Sequence, residues 1–382
     1  MPARRTLTRR IVRRRIVSRG ELPGSDGGVY NPGAVRGDEG IVLLARREID
    51  YRFTSVVHPE RIVVDPRSFE IVSHRTLARR GYPEDSRVED FRLIRHDGLV
   101  LAVHTLVRPG GRIRPMISVV GERRLEPWDA LELPFETERV EKNWVLFEHQ
   151  GTLCCLYRLD PLTILARERG RWRTVVRRDN GWSADFRGML SNSANLVPFR
   201  DGYLGFWHSI VDGRYVQGAM TLTPELAIGA ATGVLLDGRD AAPGHKPGVL
   251  YVSALVADGG RVLAFYGEGD AHCGVAVLDA GELAAELDRS PFAERAPITV
   301  RLEPASMGEL YRAMVRLDRM TTRGTPRPLW VDVPDRSLHE AVRRFGVRGL
   351  ALRSLDGRER DYDVESLGAT RGSPAARRAR RS

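Results

Sequence analysis

Arg87-Val-Glu-Asp-Phe-Arg92, running on into Leu93-Ile-Arg-His-Asp-Gly98 and Leu99-Val-Leu-Ala-Val103, decides how the chain reads. Two carboxylates stand between two guanidinium groups at the entrance of a strand. A His-Asp-Gly turn then leads into a wholly apolar second strand. Asp-Gly between two apolar runs is a strong signal for a tight hairpin. Carboxylates at the mouth of a buried strand need partners, because desolvating an unpaired charge is costly. The flanking arginines either neutralise them or share chemistry with them.

The same hairpin recurs. Gly40 precedes Ile41-Val-Leu-Leu-Ala45, Gly151 precedes Thr152 to Leu156, Gly202 precedes Tyr203 to Phe206, and Gly260 precedes Arg261 to Phe265. With Gly98, the turn glycines lie 58, 53, 51 and 58 residues apart. Units of this length, each one small sheet, are the mark of a β-propeller. A β-sandwich would also carry hairpins but has no need of this regularity. The expected fold is therefore all-β: a five-bladed β-propeller over residues 21–290, with a small C-terminal α/β extension.

The repeat also places side chains. Six residues after each turn glycine stand Arg46, His104, Tyr157, His208 and Tyr266, each large and polar-tipped at the end of an apolar strand. Where the preceding strand begins stand Asn31, Glu89-Asp90, Lys142-Asn143, Asn195 and Ser253. If the blades are equivalent, both sets converge at one end of the axis. A ring of acids, bases and amides there suits a polyhydroxyl ligand.

Outside the blades the pattern changes. Residues 1–20 are a basic arm in which residues 10–17, rich in valine and isoleucine, can pair as a strand. From residue 297 the chain reads strand, helix, strand, helix, strand. Ile298 to Leu302, Leu329 to Val333 and Gly349 to Leu352 are the strands, with capping boxes at Ser306/Glu309 and Ser337/Glu340 opening helices to about Met320 and Phe345. This extension covers 297–365, and a basic tail, 366–382, is expected to be disordered.

The formal net charge of +10 resides largely in the two tails, so nucleic acid is not an expected partner. No apolar run is long enough for a membrane helix, and the arginine-rich start does not read as a secretory signal. Cys154, Cys155 and Cys273 form no metal or disulfide framework, which points to a cytoplasmic protein. The histidines at 104, 149, 208, 245 and 272 are scattered, so no metal site is expected. Only Lys142 and Lys246 are lysines among 60 basic residues, which singles out both positions.

Tyr30-Asn-Pro-Gly-Ala34, Arg87-Val-Glu-Asp-Phe-Arg92, Glu141-Lys-Asn-Trp-Val-Leu-Phe147, Tyr157-Arg-Leu-Asp-Pro161, Gly205-Phe-Trp-His208 and Phe265-Tyr-Gly-Glu-Gly-Asp270 together resemble the β-mannoside phosphorylase family, glycoside hydrolase family 130. The resemblance covers about residues 10 to 285. It implies a five-bladed propeller and an inverting reaction in which inorganic phosphate attacks a β-mannoside to release mannose 1-phosphate, with no other cofactor. It implies Asp90 as the general acid, acting through a sugar hydroxyl, and Lys142 on the phosphate with help from arginine and histidine. Phe91 stands where the family usually has proline, and the C-terminal extension is not a usual part of the family. The resemblance also allows dimers or larger assemblies.

The chemistry of the residues agrees in outline. A phosphorylase needs one acid and cations for the phosphate, whereas an inverting hydrolase needs a second carboxylate to activate water. The phosphate candidates are Arg87, Arg92, Lys142, Arg158 and His208. The sugar candidates are Asn31, Arg46, Glu89, His104, Asn143, Trp207, Tyr266 and Asp270, with Trp144 as a further stacking surface. Glu89 also reads as a structural partner of the arginines. The expected function is a glycoside phosphorylase or a closely related glycosyltransferase acting on an oligosaccharide or glycoside. A glycan- or protein-binding propeller without catalysis is the alternative from another class. An inverting hydrolase is the third, with Asp270, Glu268 or Asp160 as second carboxylate.

Overall fold

The computed structural model describes residues 11–51, 57–108, 113–133, 141–186, 190–293, 298–301, 309–315, 329–333 and 350–354. The chain divides into two compact units, one of Met1–Arg177 with Ser191–Ala293, the other of Arg178–Leu190 with Glu294–Ser382.

The first unit is a five-bladed β-propeller. It begins with strand β1 (Val12–Val17), whose sheet is completed only at the end of the unit. Blade 1 is β2 (Gly28–Arg36), β3 (Ile41–Glu48), β4 (Val57–Val64) and β5 (Ile71–Thr76). A short β6 (Ala78–Arg79) joins the outer edge of blade 2, which is β7 (Arg87–His96), β8 (Leu99–Val107), β9 (Ile113–Val120) and β10 (Arg124–Asp129). Blade 3 is β11 (Val145–His149), β12 (Thr152–Leu159), β13 (Leu162–Glu168) and β14 (Arg171–Arg178). In blade 4 the first strand is broken into β15 (Ser191–Asn192) and β16 (Val197–Phe199). Both pair with β17 (Gly202–Val211), followed by β18 (Arg214–Leu222), β19 (Ile228–Ala231) and β20 (Leu236–Asp237). Blade 5 is β21 (Leu250–Asp258), β22 (Arg261–Glu268) and β23 (His272–Asp279), with β1 as its outer strand. Helix α1 (Ala280–Asp288) follows, capped by Asp279 accepting from the Glu282 amide.

The apolar second strands are explained by this arrangement. Each blade is covered on both faces by its neighbours, so its central strands have no polar face. Leu44 of blade 1 packs with Val88, Phe91 and Leu93 of blade 2. Leu101 and Val103 of blade 2 pack with Leu146 and Leu165 of blade 3. Phe206 of blade 4 packs with Leu255 of blade 5, and Phe265 of blade 5 packs with Leu43 of blade 1. The turns follow the expected chemistry: Asp97 and Gly98 have φ of 49° and 74°, the left-handed pair that a two-residue hairpin requires.

The basic arm has a definite place where it is described. Val12 pairs with Val277 and Val17 with Cys273, closing the ring between the two ends of the unit. Val17 is fully buried, and Arg13 and Arg15 both hold the buried Glu268 of β22.

In the second unit β24 (Ile298–Arg301), β25 (Leu329–Val333) and β26 (Leu350–Ser354) form a parallel sheet in that order, and residues 309–315 are helical. Parallel neighbours need crossover connections, in keeping with the expected α/β character. Ser306, Ser337, Glu340, the helix to Phe345 and the tail 366–382 lie outside the described residues. Among the described residues no helix is long and apolar enough to cross a membrane.

The closing strand yields a prediction. In an Arg13→Met/Arg15→Met double variant the buried Glu268 carboxylate loses both cations, and the unfolding free energy should fall by about 2 kcal/mol in urea titration. Adding Glu268→Gln should restore most of it. No loss in the double variant would show that the two arginines do not secure the ring.

Candidate active site

The first strands of the blades do not run straight. Their pairing shifts between Tyr30 and Gly33, between Glu89 and Arg92, and between Val252 and Ala254. At the shifted positions Asn31 and Asp90 have φ of 50° and 58°, and Asn143, just before β11, has φ of 66°. Asn and Asp enter this left-handed region more readily than other non-glycine residues. A bulge of this kind re-aims a side chain. Here the bulges of Asn31 and Asp90, with the left-handed residue Asn143 before β11, set an amide or carboxyl at matching points of three successive blades. Gly267 belongs to the same design, since a β-carbon there would collide with Oδ1 of Asn31.

Side chains at these points tie each blade to the next. Asn31 Nδ2 donates to Oδ1 of Asp90 at 2.8 Å, from blade 1 to blade 2. Arg92 donates to Oδ1 of Asn143 at 3.0 Å, from blade 2 to the entrance of blade 3. Asn192 of blade 4 donates to the Leu156 carbonyl of blade 3 at 2.9 Å. Ser193 and Asn195 bond the backbone of blade 5 at Val252 and Leu255. Ser253 closes the circuit, donating to the Pro32 carbonyl of blade 1 at 2.8 Å. Each of these groups is buried or partly buried, and losing one partner would leave the other with a desolvation penalty of about 1–3 kcal/mol.

Arg92 does the most. Its Nε donates to the Ser193 carbonyl at 2.7 Å and Nη1 to the Asp90 carbonyl at 2.9 Å. Nη2 donates to Asn143 and to the Tyr251 hydroxyl, which itself donates to Asn143 at 3.1 Å. Arg92 is 2% exposed.

Asp90 is the electrostatic centre of the cluster. Its charge is felt by Glu89, Arg46, Asp270, His208 and Tyr251, groups from blades 1, 2, 4 and 5. Burial pushes Glu89 up; Arg46 and Arg87 counter this, while Asp90 adds to it. Burial likewise pushes Asp270 up, against the pull of Lys246 and of the Tyr51 hydrogen bond. Burial, with Arg92 and Lys142 nearby, pushes His208 down to about 3, so it is a neutral imidazole at physiological pH. Its Nδ1 has no hydrogen-bond partner among the described residues. Lys142 is exposed beside it.

The expected residues therefore divide. Asn31, Asp90, Asn143, His208, Lys142 and Asp270 come together. Arg46, Arg87 and Glu89 adjoin them but form an ionic network: Arg46 lies 3.0 Å from Glu89, Arg87 lies 2.9 Å from it, and both also reach the buried Glu48. Burial would lower Arg46, but Glu89 and its other neighbours more than offset this and hold it raised. Arg92, expected on phosphate, is instead the buried joint between blades. Arg158 lies over the Tyr157 ring, 5.1 Å from its centroid.

Four expectations for sugar contacts are corrected. His104 is buried inside blade 2, bonded to Tyr82 and Ser118 at 3.0 and 2.9 Å. Tyr266 is turned toward β1, where Arg13 lies over its ring. Trp207 is 1% exposed and covers Gly218, and Trp144 packs edge-on against Tyr157. None of these aromatic rings offers a free face. Tyr157, from the same repeat position, bonds Glu141 at 3.0 Å, and Asn195 bonds blade 5 instead of facing the mouth. The sequence reading missed Tyr251, Ser193, Glu48 and Tyr51. Tyr251 lies two residues before the expected Ser253, and only its position on a first strand marks it.

Comparison with known proteins bears on the fold. No family model matches the chain, and no curated protein matches it. Solved structures do. The β-1,2-mannobiose phosphorylase of Listeria innocua is 14% identical, with a TM-score of 0.56 over 74% of this chain and 100% of that one. A glycosyl hydrolase from Bacteroides ovatus is 12% identical, with a TM-score of 0.51 over 66% and 84%. A structure from the GH130 family of mannoside phosphorylases, described as containing glycoside hydrolases that target β-1,2 mannosidic linkages in Candida mannan, is 12% identical, with a TM-score of 0.52 over 71% and 87%. The propeller is the fold of these enzymes.

Burial of neutral histidines sets a pH dependence. Burial lowers His104 to about 4, whereas the unfolded side chain titrates near 6.5. As pH falls below 6.5 the unfolded chain takes the proton first, so stability is lost between there and the folded value. His104 alone should make the protein about 2 kcal/mol less stable at pH 5 than at pH 7. In His104→Gln the drop between these pH values, followed by urea unfolding, should shrink by that amount. An unchanged drop would contradict a buried neutral imidazole.

Proposed function

We propose that the protein is an inverting glycoside phosphorylase acting on a β-mannoside. Asp90 carries the reading: a carboxylate held on a left-handed bulge at the meeting point of the blades, within electrostatic reach of a neutral His208 that also feels Lys142. The likeness of the fold to mannoside phosphorylases supports the substrate class.

In this reaction an oxygen of inorganic phosphate attacks the anomeric carbon as the bond to the leaving sugar breaks. Asp90 supplies the proton that the leaving oxygen takes up, relayed by a hydroxyl of the substrate. Inversion turns the β-mannoside into α-mannose 1-phosphate. Lys142 contributes charge to the phosphate, and the unpartnered Nδ1 of His208 is explained if a ligand group meets it. Asn31 and Asn143 flank the sugar. Arg92 and the Arg46–Glu89–Arg87 network keep Asp90 in place. The three cysteines are buried and unpaired, in keeping with a cytoplasmic enzyme.

One observation favours a second reading. Asp270 is a further carboxylate within the electrostatic reach of Asp90, and burial pushes it up. An inverting hydrolase would use such a group to activate water. Glu268 does not fill that role, being held by Arg13 and Arg15.

Phosphate decides between them. With β-1,2-mannobiose, the phosphorylase should release mannose 1-phosphate only when inorganic phosphate is present, and Asp90→Asn should lower kcat about 10³-fold. Lys142→Ala should raise the KM for phosphate about tenfold while changing that for sugar little. Free mannose released at the same rate without phosphate, and lost in Asp270→Asn, would establish the hydrolase instead.

A further inference from the structure

Asn143 and His208 come from different blades, and one side chain touches both. Tyr251, on β21 of blade 5, is buried. Its ring meets the His208 imidazole at 5.0 Å between centroids, with the planes 86° apart. Tyr215 of β18 lies against the same imidazole, 5.7 Å away and 12° from parallel, and meets Tyr251 at 5.7 Å and 85°. His208 is thus packed against two rings set at right angles to each other. The charges acting on it are those of Arg92, Lys142 and Asp90.

The hydroxyl of Tyr251 reaches the other residue. Burial pushes the phenol up against the pull of Arg92, so it keeps its proton. It donates to Oδ1 of Asn143 at 3.1 Å and accepts from Arg92. Arg92 donates to the same Oδ1 at 3.0 Å. A guanidinium has no acceptor, so the atom of Asn143 that faces it must be the oxygen. The amide is therefore settled, with its oxygen on Arg92 and Tyr251 and its Nδ2 turned away from them. Nδ2 has no hydrogen-bond partner among the described residues. What Asn143 offers a ligand is a donor, and the Tyr251 hydroxyl is one of the two groups that make it so.

We propose that Tyr251 is a positioning residue: its hydroxyl sets Asn143 as a donor to a sugar oxygen, and its ring sets His208 for phosphate. The parts given to sugar and phosphate rest on the phosphorylase reading.

Two variants separate the two ends of the side chain. Tyr251→Phe keeps the ring and removes the hydroxyl. It should raise the KM for β-1,2-mannobiose about tenfold and leave that for phosphate within twofold. Tyr251→Ala removes the ring as well and should raise both. A side chain that only fills space would not split the two constants in Tyr251→Phe. Protonation of His208, followed by NMR without substrate, is independent of turnover. The ring should stay neutral at pH 5 in wild type and Tyr251→Phe, and should titrate about two pH units higher in Tyr251→Ala, where water reaches it. An unchanged sugar KM in Tyr251→Phe, equal rises of both constants in that variant, or His208 titrating alike in wild type and Tyr251→Ala would overturn the proposal. If Tyr251→Ala does not fold, Tyr251→Phe decides alone. Failure of the reaction reading would show differently: no phosphate-dependent turnover in wild type, but calorimetric binding of β-1,2-mannobiose still weakened about tenfold in Tyr251→Phe. Binding equal in wild type and Tyr251→Phe would again overturn the positioning role.

Discussion

A single buried guanidinium joins the parts of this propeller. Arg92 sits on the first strand of blade 2, yet its hydrogen bonds end on Ser193 of blade 4, Asn143 at the entrance of blade 3, Tyr251 of blade 5 and the backbone carbonyl of Asp90. Much of the contact between blades is apolar packing, which is tolerant of small rotations. A planar fork with fixed donor directions is not. The ring of Asn31, Asn192, Ser193, Asn195 and Ser253 adds further fixed points, so the axial end of the propeller is held by polar geometry and its flanks by packing.

That division has a chemical consequence. Asp90 occupies a left-handed backbone position, which Asp enters more readily than most residues and which the contacts around it hold in place. Asn31 holds its carboxylate and Arg92 its carbonyl. Of the arginines expected on phosphate, Arg87 is paired with Glu48 and Glu89, and Arg92 is bonded between blades. Lys142 and Lys246, both exposed, are the only lysines in a chain that otherwise uses arginine.

The blades were legible because hairpin glycines at regular spacing are a local signal, set by backbone sterics within two residues. The left-handed positions Asn31, Asp90 and Asn143 stand at one point of the repeat, near the start of the first strand. What lay beyond reach was the direction of each side chain at the repeat position of the second strand. Arg46, His104, Tyr157, His208 and Tyr266 are equivalent in sequence, but Ser118 gives His104 a partner inside its blade and Arg13 draws Tyr266 outward. Those partners lie 14 and 253 residues away, and no periodicity encodes them. The same holds for Arg92, whose contacts on Ser193 and Tyr251 depend on closure of the whole ring. Phe91, which departs from the proline of the family it resembles, is explained by packing: it is fully buried between blades 1 and 2.

The proposed reaction requires that Asp90 meet a sugar while Lys142 and His208 meet an anion. The most direct test is a crystal structure grown with mannose and inorganic phosphate. The account predicts a sugar within hydrogen-bond distance of Asp90, phosphate on Lys142 and His208, and Arg92 unchanged in its contacts between blades. Phosphate bound to Arg92 or Arg87, or a sugar bound away from Asp90, would contradict it.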